Sequence, residues 1–160
     1  FELMDLIGND INFKVTKTVF EAFYFDPRYK PSFTQQRLVE AGLLGRKTGR
    51  GFYNYKDVTE NPKPLDDENL KIEIFFRILS MLINEAADAV FLKTASVEDV
   101  DLAMTLGANY PQGLLRWADE IGLDKVEKRL SLLQEKYHED RYHVSPLLKE
   151  MLNRNKKFYE

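Results

Sequence analysis

Three observations predict an all-α fold for this chain. Apolar residues recur at helical spacing along most of its length. No segment alternates apolar and polar residues as a half-buried strand does. Glycine, proline and Ser/Asp capping signals punctuate the periodic stretches. The 160 residues suffice for one domain or two small ones, and 44% hydrophobic content allows a real core. A net charge of −3 gives no support to a nucleic-acid or anionic-membrane role. Cysteine is absent, so no disulfide framework forms, and an intracellular, cytoplasmic setting is the expectation. The given residues show no signal-peptide pattern and no apolar run of membrane length.

In order, residues 1–7 read as the end of a helix, with Gly8 as its C′ residue. Asp10 is the expected N-cap of the next helix, which carries Ile11, Val15, Val19, Phe20 and Phe23. Pro27 and Pro31 bracket a turn, and Ser32 with Gln35 has capping-box spacing for a helix over 33–41. Residues 56–66 include Asn61, Pro62, Lys63 and Pro64 and read as a linker. The longest helix follows, from about 67 to 93. Its centre, 74–83, is apolar on nearly every side, which predicts a core helix covered all round. Ser96 and Asp99 open another helix ending at Gly107, and Pro111 is placed at the first position of the next, stopped by Gly122. Helices over 124–137 and from Ser145-Pro146 to about 152 complete the chain.

The densest signal is residues 42–55, where Gly42, Gly45, Gly49 and Gly51 alternate with Arg46, Lys47 and Arg50 before Phe52, Tyr53 and Tyr55. Glycines this close together are not helix interior, because each costs about 1 kcal/mol there relative to Ala. On composition alone this is a helix end followed by a solvated basic turn, or a turn that meets an anionic ligand or a neighbouring domain.

Two stretches echo each other. Asp5, Ile7, Gly8 and Asp10 match Asp119, Ile121, Gly122 and Asp124; Arg28, Tyr29 and Ser32 match Arg141, Tyr142 and Ser145. Phe52-Tyr53 is echoed by Phe158-Tyr159, without the glycine-basic turn between.

The turn, together with residues 1–8 and Asp26, Pro27, Arg28, Tyr29, Pro31 and Ser32, resembles the C-terminal helical domain of the 3-hydroxyacyl-CoA dehydrogenases. Members carry a Gly-Arg-Lys-Thr-Gly-x-Gly-Phe-Tyr turn, present here without interruption. Asn84, Glu85, Ala86, Ala87, Asp88 and Ala89, then Glu98 to Asp101 and Asn109, Tyr110, Pro111 and Gly113, resemble the second copy of members that carry two such domains in tandem. The resemblance implies two related helical domains: 1–55 as the C-terminal half of the first, 56–66 as linker, and 67–160 as the second. It also implies that the chain starts inside the first domain of a longer enzyme.

That parent would oxidise 3-hydroxyacyl-CoA to 3-oxoacyl-CoA with NAD. This region would close the substrate cleft and provide an association surface, with homodimerisation one form it takes. NAD would rest mainly on an N-terminal Rossmann domain, since no Gly-x-Gly-x-x-Gly between a strand and a helix occurs here. The family's catalytic His–Glu pair belongs to that domain, and its active-site Asn opens a helix that would precede Phe1. Phe76 precedes Arg77 at the equivalent place in the second copy, so no catalytic residue is expected in this chain, which alone would be inactive. The site residue the resemblance assigns is Lys47, as a contact to the bound NAD. His138 and His143 read as surface groups, Glu85 and Asp88 as no metal site, and Trp117 as core. Glu98, Asp99 and Asp101 read as first-turn charges that offset a helix dipole. Two other classes stand beside the enzyme: a non-catalytic structural or dimerisation module, which an intact Lys47 turn disfavours, and a nucleic-acid binder using Arg46, Lys47 and Arg50, which net acidity disfavours.

Overall fold

The computed structural model describes residues 1–159, Glu60 by its backbone alone. Eight α-helices and no strand occur among the described residues, as the periodicity predicts. The chain divides into two compact units, Phe1–Asp66 and Asp67 onward.

The first unit holds α1 (Glu2–Ile7), α2 (Asn9–Ala22) and α3 (Phe33–Glu40). Gly8, at φ 111°, both ends α1 and caps α2, so Asp10 is the second residue of α2 rather than its cap. A 3-10 turn at Pro27–Tyr29 is fixed by Asp26, whose carboxylate accepts from the Arg28 amide and guanidinium. Ser32 caps α3 by position only; its side chain makes no capping hydrogen bond. No hydrophobic side chain of this unit is fully buried: its buried residues are Asp5, Gly8, Asn9, Gln35, Gly45 and Gly51. Polar hydrogen bonding therefore holds its centre, while Phe1, Leu3, Leu6, Val15, Phe23, Phe25 and Phe33 lie on its surface.

The second unit is built on α4 (Glu68–Phe91), opened by the Asp67 carboxylate accepting from the Leu70 amide. The helix packs against α6 (Leu114–Ile121), α7 (Leu123–Tyr137) and α8 (Pro146–Asn153). Leu79, Ile83, Ala86 and Ala87 of α4 meet Leu115, Ala118, Val126, Leu130, Leu148 and Met151 in one apolar core. Within the second unit the helix is not covered all round, contrary to what its sequence predicts: Ile74, Phe75 and Ile78 are 51%, 53% and 53% exposed. Only the stripe continuing through Leu79 and Ile83 faces the core, and α4 reads as apolar throughout because two different faces carry apolar side chains.

Between them, α5 (Val97–Leu102) is capped by Ser96, whose hydroxyl accepts from the Asp99 amide, and runs into a π-helical turn at Ala103–Gly107. α6 begins at Leu114 behind Gly113, later than Pro111 suggests. Asp101 is nearly buried, and its carboxylate accepts from the Leu115 and Arg116 amides at 2.8 and 3.0 Å. It therefore caps α6, a partner the first-turn reading of Asp101 misses. Asn84 likewise ties α4 to the start of α8: it donates to the His143 carbonyl and accepts from the Ser145 amide.

Candidate functional site

The glycine-basic turn is assembled around Asp5. The carboxylate of Asp5, 1% exposed, accepts from the Phe52 amide at 3.0 Å, the Tyr53 amide at 2.9 Å, the Tyr55 hydroxyl at 3.1 Å and the Asn9 amide group at 3.1 Å. A carboxylate with two amides and a phenol on it is a latch that pulls the end of the turn onto α1. Gly45 and Gly51 are what let it close. A Cβ on Gly51 would stand 2.1 Å from the Asp5 carboxylate, and one on Gly45 2.2 Å from the Asp5 carbonyl oxygen. Burial first, and then the hydrogen bond to Asp5, push the Tyr55 phenol above its ordinary pKa.

Four amides inside the turn are spent locally. Gly45 donates to the Arg50 carbonyl, Thr48 to Gly45, Gly49 to Arg46 and Gly51 to Tyr53. The Thr48 hydroxyl accepts from the Leu44 amide. Those four amides are therefore not available to a phosphate.

Its cations divide. Arg46 lies over the Tyr55 ring, 5.4 Å from the centroid. Lys47 stands in a short 3-10 turn at Arg46–Thr48 and reaches back to α2, where its Nζ is 2.5 and 2.7 Å from the two oxygens of Asp10. The hydrogen bond from Lys47 is the main cause that holds the Asp10 carboxyl below its ordinary pKa. Lys47 keeps 43% of its side chain exposed, so an ammonium with a donor to spare faces solvent beside Gly8. This fits a single contact at the edge of a nucleotide cofactor. Asp5 and Asp10 build and orient the site; the sequence shows Asp5 as a member of the repeat and of the resembling segment, and Asp10 as a member of the repeat and an expected N-cap, but assigns neither to the turn.

The second unit repeats the latch. Asp119 accepts from the Phe158 and Tyr159 amides at 3.0 and 2.8 Å, as Asp5 does from Phe52 and Tyr53. Gly122 sits at φ 102° and ψ 123°, against 111° and 130° for Gly8. α6, α7, the 3-10 turn at Asp140–Tyr142 and α8 follow the order of α1, α2, Pro27–Tyr29 and α3. No lysine pairs with Asp124 as Lys47 does with Asp10 among the described ion pairs. The Tyr159 hydroxyl donates to Asp101 at 2.9 Å, and burial with that bond pushes its pKa up to about 12.

The other candidates resolve plainly. His138 and His143 are exposed, and Trp117 is partly buried against the core and beside Phe75. Arg77 lies over the Tyr137 and Tyr142 rings and donates to the Tyr142 hydroxyl. No cluster of metal-ligating side chains occurs among the described residues. No described helix is long and apolar enough to cross a membrane.

Comparison with known proteins gives consistent matches. The family described as 3-hydroxyacyl-CoA dehydrogenase, C-terminal domain, matches residues 1–55 and 74–158. The 3-hydroxyadipyl-CoA dehydrogenase of Escherichia coli K12 is 29% identical over an alignment covering 93% of this chain and 49% of that protein. A 3-hydroxybutyryl-CoA dehydrogenase of Clostridioides difficile is 38% identical over 59% of this chain and 34% of its own. The crystal structure of 3-hydroxybutyryl-CoA dehydrogenase from Escherichia coli K12 superposes with a TM-score of 0.78 at 28% identity, covering 93% of this chain and 50% of that one. The chain thus spans at most about half the length of these relatives.

Proposed function

We propose, from the premise that this chain belongs to the 3-hydroxyacyl-CoA dehydrogenase C-terminal-domain family, that it is the helical region of an NAD-dependent enzyme oxidising 3-hydroxyacyl-CoA to 3-oxoacyl-CoA. In that reading NAD is held chiefly by a Rossmann domain of the same enzyme and supplies the hydride acceptor. This chain's residues close the substrate cleft, and Lys47 donates a hydrogen bond to the cofactor. The two units are taken as related helical domains, with 56–66 as their linker and the enzyme as a cytoplasmic one. The observation that supports the reading is a lysine kept at the surface, with one donor unspent, on a turn latched to α1 through Asp5. A long flexible ammonium on a fixed base reaches across a cleft without ordering much else.

The test is Lys47→Ala in the intact enzyme. One charge-assisted hydrogen bond is worth roughly 1.5–3 kcal/mol, so NAD affinity or turnover should fall about ten- to a hundredfold with an unchanged melting temperature. The present chain alone should neither bind NAD measurably nor turn over substrate. Unchanged affinity and turnover in Lys47→Ala would make the turn a basic surface loop.

A second reading, a non-catalytic association module, is favoured by one observation: the first unit shows much apolar surface and buries no hydrophobic side chain completely. Light scattering of the chain separates a dimer from a monomer, and NAD titration of the intact enzyme separates the two readings.

A further inference from the structure

The N-terminal half of α4 and the second half of α7 leave a cleft of about 240 Å³ between them, formed by the second unit alone. Its walls are of two kinds. Leu70, Ile74, Leu132 and Tyr137 give it an apolar side that is 40% to 53% exposed. Three cations, Arg77, Arg129 and Lys136, share it with one carboxylate, Glu73. Arg129 spends itself on Glu73, donating to both carboxylate oxygens at 2.8 and 2.6 Å, so that pair is neutral. No ion pair among the described residues holds Arg77 or Lys136. The half-buried Arg77 guanidinium lies 4.9 and 5.1 Å from the Tyr137 and Tyr142 ring centroids, and its hydrogen-bond acceptor among the described residues is the neutral Tyr142 phenol. Lys136 Nζ stands 5.3 Å from the Tyr137 ring centroid. Ring faces and a phenol orient a cation without neutralising it. A guanidinium carries five N–H donors, so Arg77 keeps donors to give.

We propose that this cleft is a binding site for a small monocarboxylate with a short apolar tail, a class that includes the medium-chain fatty acids. The carboxylate sits on the Arg77 guanidinium with the Lys136 ammonium alongside, and the tail lies along Leu70, Ile74 and Leu132. The cleft already uses this recognition once, in the two-pronged grip of Arg129 on Glu73. Stacking on two tyrosines fixes the plane of the Arg77 fork, so little freedom is lost when an anion meets it. A bare phosphate would answer the cations and leave the apolar wall wet, whereas an uncharged tail would leave two cations unanswered. Head and tail are therefore needed together. The cleft is smaller than the roughly 300–1,000 Å³ of pockets for drug-sized ligands, which limits the tail to about eight carbons.

The experiment titrates the 160-residue chain calorimetrically with butyrate, hexanoate and octanoate, and with octanol and inorganic phosphate as controls that carry only the tail or only the charge. The carboxylates should bind one to one and tighten about fourfold for each methylene buried. Octanol and phosphate should each bind at least about tenfold more weakly than octanoate. Arg77→Gln should weaken octanoate about tenfold and leave octanol unchanged, and Lys136→Gln should do the same to a smaller degree. Leu132→Glu places a carboxylate in the tail wall at a position 53% exposed, where the fold does not depend on the side chain, and should abolish the gain with chain length. That variant decides the matter should Arg77→Gln fail to fold. Octanoate that does not saturate the parent chain would overturn the site. So would octanol binding as tightly as octanoate, which makes the cleft a plain apolar groove, or phosphate doing so, which makes it a plain cationic patch. Octanoate binding that survives Leu132→Glu unchanged lies elsewhere on the chain and also overturns it. NAD takes no part in these titrations, so their outcome is independent of the reading of Lys47.

Discussion

At the residue scale, buried carboxylates take over work that the sequence assigns to glycines and helix dipoles. Asp5→Ala strands the Phe52 and Tyr53 amides and should cost the first unit about 2–5 kcal/mol. Gly51→Ala drives a Cβ into the same carboxylate. The two substitutions should not add, because either one opens the same latch. Amide hydrogen exchange at Phe52 and Tyr53 reads it directly, and protection that survives either change would contradict the latch. The glycine-basic turn was legible as a turn, but its cause was not: Asp5 and Phe52 lie 47 positions apart, and no local pattern joins them. Asp101 was misread for the same reason, its partners Leu115 and Arg116 lying on another helix. Tyr159 gives a pH prediction. Its folded pKa is raised to about 12, above the roughly 10 of an unfolded tyrosine. Above pH 10 the unfolded state loses its phenolic proton first, so stability falls as pH rises toward 12. Melting curves of the second unit should show that alkaline loss, and Tyr159→Phe should flatten it.

At the scale of elements, α4 carries two apolar faces with different fates. Ile83 is completely buried, and Ile83→Ala should cost about 2–5 kcal/mol in urea denaturation. Ile78→Lys lies on the outward stripe and should leave the stability of the second unit within about 0.5 kcal/mol. Equal losses at both positions would restore the all-round burial that the sequence suggests. Helix existence was readable almost throughout, because periodicity and caps agree, as at Asp67 and Ser96. Boundaries slipped where a glycine served two helices at once. Gly8 ends α1 and starts α2, which displaced the cap expected at Asp10. Gly113, which caps α6 alone, displaced the start expected at Pro111 for another reason: room under it is needed for the Asp101 carboxylate.

At the scale of the whole molecule, the two units differ in how they are held. The second has a contiguous apolar core, and 67–160 expressed alone should give a helical circular-dichroism spectrum and a cooperative melt. The first centres on Asp5, Asn9 and Gln35, and 1–66 alone should melt weakly and self-associate through its apolar surface. A monomeric, sharply melting 1–66 would refute this. The repeat explains the contrast. Where α7 and α8 put Val126, Leu130 and Leu148 into the core, the corresponding places of α2 and α3 hold Asn12, Thr16 and Gln35. The echo in the sequence was carried by aspartates, glycines and tyrosines that hold the backbone, so it survived while the side chains between them diverged.

The duplicated latch also makes the turn a portable cassette. Asp119 already offers Phe158 and Tyr159 the seat that Asp5 offers Phe52 and Tyr53, although residues 154–157 do in the second unit what 41–51 do in the first. Splicing the longer loop between α8 and Phe158 would carry a lysine to the neighbourhood of Asp124, which waits on its own glycine in the posture of Asp10.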